Sequence, residues 1–170
     1  MAQARNKKFL FDRSFDDPNK LYLPGERRKA EVEAEAAMFD SWQAFVDSKT
    51  DVAGKIVVIL QPMSRSSTGG GYGGMSGPIR RNGPGEAQKR GAVGFVMRSL
   101  STDEHRFPHA GASAWSDGKG IPAMAIASPD AAQLSRIKAM QAKGQAGPIR
   151  LKMASGATFP GQGFSGTASP

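Results

Sequence analysis

No cysteine occurs among the 170 residues, which excludes disulfides and thiolate metal sites and leaves the redox compartment open. No apolar run approaches the roughly 20 residues that a membrane-spanning helix needs, and Phe9-Leu10-Phe11 is too short for the apolar region of a signal peptide. Histidine is scarce, with only His105 and His109 to serve as imidazole bases or ligands. Nucleophilic catalysis needs a base beside an activated Ser or Thr and a third group to orient it, and here the bases are confined to one loop. No serine stands in a Gly-x-Ser-x-Gly elbow and no carboxylate pair stands out for acid–base work, so an autonomous hydrolase ranks third among the functional readings.

Glycine and proline, by contrast, are abundant, at 21 and 11 residues, which predicts loop-rich construction. With 39% apolar and 22% charged residues, the chain has the composition of one ordinary globular domain with flanking segments. The formal charge of +8 is uneven. Residues 31–62 carry two basic side chains against six acidic ones, whereas 63–111 carry seven against three. A basic surface favours acidic partners, nucleic acid included, although most such surfaces are simply solvated.

Residues 1–28 mix basic and aromatic side chains without a period of 2 or 3.6 and read as an arm or linker. The domain is expected over 29–156, with a linker-like tail over 157–170. Glu31 to Phe39 alternates charged and small apolar residues, as a half-exposed strand does. Asp40 offers an N-cap for a short helix over about 41–48. Lys55 to Leu60 is a β-branched run suited to a strand buried on both faces. Ser64 to Asn82 holds few large apolar residues (Tyr72, Met75, Ile79) and reads as a long surface loop. Pro84 opens a two-turn helix that Gly91 closes, followed by a strand over 92–97. A second long loop, Leu100 to Gly120, returns to a strand over 121–126. Ser128-Pro129 then starts a helix with Leu134, Ile137 and Met140 as its buried stripe, ending at Gly144. Pro148 to Met153 alternates like an edge strand. The order of elements predicts an α/β fold.

The glycines at 69, 70, 71, 73 and 74 invite comparison with phosphate-cradling loops, but no Gly-x-x-x-x-Gly-Lys-Ser/Thr is present, and flexibility anchored by Tyr72 is the simpler reading. His105 and His109 are separated by Pro108, which breaks the helix that would align their rings on a metal. Loop-ordering hydrogen bonds from both histidines and Arg106 are the favoured alternative. Arg80, Arg81, Lys89, Arg90, Arg98 and Arg106 adjoin the two loops, with Tyr72 and Phe107 among them; such a mixture can bind single strands through phosphate contacts and stacking, but no recognised nucleic-acid module accompanies it.

One resemblance runs from about Glu31 to about Ser155. Gly71-Tyr72-Gly73, Ile79-Arg80-Arg81, Gly83-Pro84-Gly85-Glu86-Ala87, Arg90-Gly91-Ala92-Val93-Gly94-Phe95, Arg98-Ser99 and His105-Arg106-Phe107-Pro108-His109-Ala110-Gly111 follow one another in the order seen in a known family. Gly54-Lys55-Ile56-Val57-Val58 upstream and Ile121-Pro122-Ala123 downstream continue it. The sequence resembles the protease-associated (PA) domain carried as an insert by bacterial zinc aminopeptidases of the M28 type. The resemblance implies a swivelling β/β/α domain, with a small curled sheet or open barrel flanked by short helices and two long loops. It also implies a non-catalytic substrate-access or peptide-interaction module. Its partners would be a peptidase catalytic domain and peptide or protein substrates, with no cofactor of its own, because zinc is expected only in the catalytic domain. That domain is expected to be absent here, since the sequence passes through Gly161-Gln162-Gly163-Phe164 to Pro170. The parent family is usually exported. Tyr72, Arg80, Arg81, His105, Arg106 and His109 are the candidate partner surface, with no catalytic or metal residue assigned and no membrane partner. The runner-up is a free-standing basic module that binds peptide or nucleic acid.

Overall fold

Four consecutive β-branched residues, Ile56-Val57-Val58-Ile59, form the central strand of a five-stranded sheet, and all four are fully buried. The computed structural model describes residues 27–68, 70–106, 108, 113, 114 and 120–158, with backbone alone for 27–30 and 155–158. In chain order the elements are β1 (Arg27–Phe39), α1 (Trp42–Asp47), β2 (Ile56–Ile59), α2 (Gly70–Met75) running into a π-helical segment (Ser76–Arg81), α3 (Gly83–Lys89), β3 (Gly94–Arg98), β4 (Ala123–Ile126), α4 (Ser128–Ala142) and β5 (Arg150–Thr158). The strands lie in the order β4-β3-β2-β1-β5; the first four are parallel and β5 runs antiparallel to β1. The sheet curls into a half-barrel flanked by short helices, the mixed α/β architecture expected.

Because successive strand residues face opposite ways, each parallel strand feeds two cores. Val57, Ile59, Phe95 and Met97 meet Phe45, Ile79 and Ala87 on one face. Ile56, Val58 and Val96 meet Ala131 and Met153 on the other. Burying each of the Val, Ile, Phe and Met side chains among them contributes about 1.5–3 kcal/mol, which holds β2 and β3 at the centre. Gly91, at φ +80°, closes α3 in the left-handed conformation that glycine adopts without strain, as expected.

The alternation in β1 is explained by its two neighbours. Residues 36–39 pair with β2, while 27–35 pair with β5, so that Arg27 lies opposite Thr158. This ladder runs two residues past each border drawn at 29 and 156. Val32 and Ala34 join Leu151 and Met153 on the core side. Glu31, Glu33 and Glu35 form ion pairs with Lys152 at 3.8 Å, Arg150 at 3.3 Å and Lys55 at 3.0 Å.

Three local expectations change. α1 is capped by Ser41, whose Oγ accepts the Ala44 N–H at 3.0 Å, while Asp40 is engaged by Lys138 of α4. Ser128 does not cap α4: the helix follows β4 so closely that Ala127 takes the cap position, and Ser128 enters the first turn with its buried hydroxyl unpartnered among the described residues. Of the expected stripe on α4, Leu134 and Ile137 are half-buried and Met140 is 44% exposed, whereas Ala131 is fully buried. The third change concerns the loop after β2.

Candidate functional site

β2 and β3 are parallel neighbours with α3 between them in the chain, so the segments that follow them leave from the same edge of the sheet. Hydrogen bonds join these segments. Arg65 Nη2 donates to the Thr102 carbonyl at 3.1 Å, Ser113 Oγ to the Arg80 carbonyl at 3.3 Å, and the Ala114 N–H to the Arg81 carbonyl at 2.7 Å. The two loops therefore meet at one end of the sheet, as the connectivity predicts.

The first of them is helical over residues 70–81 rather than a loop throughout. Glycine costs a helix about 1 kcal/mol per residue, and α2 holds four of them. Burial offsets that cost: Met75 and Ile79 enter the core, and Tyr72 packs against the same cluster half-buried. Their spacing of three and four residues was the available signal. Gly71 also has a steric role, because a Cβ there would sit 2.5 Å from the Ser64 carbonyl oxygen. The helix can lie on that carbonyl only without a side chain.

The arginines have different fates. Arg80 places its guanidinium carbon 5.7 Å from the Tyr72 ring centroid, and its buried Nε has no hydrogen-bond partner among the described residues. Arg81 is exposed and joins the second loop through its backbone. Arg106 was expected to converge with them, but it pairs with Asp130 in the first turn of α4, where a carboxylate complements the helix dipole. Arg90 is structural. It donates to the Phe45 carbonyl at 2.6 Å and the Ser48 carbonyl at 2.7 Å, and stacks 4.4 Å from the Phe45 ring centroid.

His105 is exposed, and its backbone N–H donates to Asp103 Oδ1 at 3.1 Å. The Asp103 carboxyl is held below the usual aspartate range, first by a hydrogen bond with the Ser101 side chain, then by the His105 N–H, with the nearby charges of His105 and Arg65 adding to the effect. His109 lies outside the described residues. Among the described residues, then, the structure joins Tyr72 with Arg80, sets Arg81 against the second loop, and takes Arg106 to α4.

An open groove of about 470 Å³ lies where the loops meet, between 63–67, Gly71, Tyr72 and Thr102. Arg65 is the cation among its lining residues, and the sequence reading overlooked it. Nothing local marked Arg65: its partner, Thr102, is 37 residues away. Among the described residues there is no group of three or more His, Cys, Asp or Glu side chains that could hold a metal ion. No described helix is long and apolar enough to cross a membrane.

No family model matches the chain, and no curated protein matches it. Among solved structures it is similar to a peptidase M28 precursor from Shewanella amazonensis SB2B, at 29% identity and a TM-score of 0.61, over 84% of this chain and 31% of that one. An aminopeptidase from Aneurinibacillus sp. strain AM-1 aligns at 18% identity and a TM-score of 0.38, over 77% of this chain and 30% of that one. The chain spans about a third of the length of either. Its fold is thus one found within an M28 peptidase, a peptidase-related module.

Proposed function

We propose that the chain is a protease-associated domain of an M28-type metallo-aminopeptidase, non-catalytic by itself, that governs substrate access or binds peptide and protein segments. The likeness that spans 84% of this chain but 31% of the M28 precursor carries this reading, because it makes the chain resemble a part of such an enzyme. The β1–β5 ladder supports it: Arg27 lies opposite Thr158, so the two ends of this ladder are side by side, as the ends of an inserted module often are. The joined loops support the interaction role, since binding residues gather on loops held by a rigid scaffold at this edge of α/β sheets. In this reading zinc and the hydrolytic residues belong to the peptidase domain, which is the natural partner, in an exported enzyme.

The purified chain should not hydrolyse aminoacyl p-nitroanilides with or without added zinc. Chelator-sensitive turnover that follows the protein through purification would overturn the non-catalytic assignment. A second reading, a free-standing basic module, is favoured by the charge balance of residues 63–111, and predicts only salt-sensitive, sequence-independent nucleic-acid binding.

A further inference from the structure

We infer that the groove where the two loops meet is a subsite for an acidic side chain of an extended peptide, with Arg65 as the residue that recognises the carboxylate. The inference rests on the peptide-interaction reading and specifies what that surface selects. Of the five guanidinium N–H groups of Arg65, one is used by the Thr102 carbonyl at 3.1 Å, and that bond holds the side chain across the junction of the loops. The others have no hydrogen-bond partner among the described residues, and the side chain is exposed. A pinned guanidinium with free donors is preorganised for a carboxylate, whose two oxygens match two parallel N–H groups.

The surroundings select the same chemistry. Among the described residues that line the groove none is acidic, and the lining combines the hydroxyl side chains Ser64, Ser66 and Thr102 with Met63 and Tyr72. Such a strip accommodates an extended backbone and one apolar side chain next to the acidic one. Arg80, 5.7 Å from the centroid of the Tyr72 ring that lines the groove, adds positive potential nearby. Asp103 is the opposing charge, close enough for Arg65 to lower its pKa, but its carboxylate is engaged by Ser101 and the His105 N–H. It therefore weakens the site through its field without occupying it. Arg81, Arg80 and Arg106 are less suited, being respectively tied to the second loop by its backbone, stacked on a ring and ion-paired with Asp130.

The test is a fluorescence-polarisation titration of the purified chain with a labelled peptide, acetylated and amidated, carrying one phenylalanine and one glutamate, beside its glutamine counterpart. The glutamate peptide should bind more tightly, and Arg65→Ala should weaken it by up to about five-fold, the range expected for one solvent-accessible charged pair. Arg65→Lys should recover part of the loss, Asp103→Asn should tighten binding, and the melting temperature should hold in the two Arg65 variants. Equal binding of the two peptides, unmoved by Arg65→Ala, would overturn the carboxylate assignment and leave the peptide-interaction reading in place. Binding of neither peptide would remove both. A short oligothymidylate that binds more tightly than either peptide and competes with them would also overturn the inference, in favour of nucleic acid.

Discussion

The two segments that leave the sheet side by side are held in opposite ways. The one after β2 is anchored by apolar side chains: Met75 and Ile79 enter the core and drag a glycine-rich stretch into helix. The one after β3 starts from Leu100, buried in the same core, but beyond it is held, where it is described, by polar contacts, namely Arg65 on the Thr102 carbonyl, Ala114 on the Arg81 carbonyl and Arg106 on Asp130. Apolar burial is non-directional and is not screened by salt, whereas exposed ion pairs contribute little and are screened. The first segment is therefore the rigid wall of the groove, and the second is the more readily displaced.

The contrast is broken most strongly at Ile79, which is 2% exposed. Ile79→Ala should cost about 2–5 kcal/mol in urea unfolding, because the cavity lies among residues of both the helix and the sheet. An effect below about 1 kcal/mol would mean that the segment is not anchored to the core. Cutting the polar clip should do far less. In the Arg106–Asp130 pair the arginine is 70% exposed, so Arg106→Ala should change stability by less than about 0.5 kcal/mol while speeding amide exchange in residues 101–106. The same acceleration should appear in the unmodified chain at high salt. The smallest effect concerns acid. With its pKa depressed in the fold, Asp103 contributes stability above the unfolded carboxylate range, and that contribution is lost as pH falls through the folded value. An NMR carboxyl titration should place Asp103 below an aspartate in the unfolded chain, and Ser101→Ala should raise it.

What the sequence determined by itself was the set of elements whose signals lie among near neighbours. The β-branched run at 56–59, the alternation in 31–39, Pro84 and Gly91 around α3 and the order of strands and helices were all legible, because hydrophobic period and turn chemistry act within a few residues. The Tyr72, Met75 and Ile79 spacing was present too, but five nearby glycines made a loop the better local reading, and only a core face opposite that stretch could reverse it. The tertiary structure alone decided which charges meet. Asp40 left its cap for Lys138, 98 residues away, Arg106 went to Asp130 across 24 residues, and Arg65 reached Thr102 across 37. A long polar side chain has many possible partners at similar energy, and the order β4-β3-β2-β1-β5, set by burying both faces of the central strands, determines which of them come within reach.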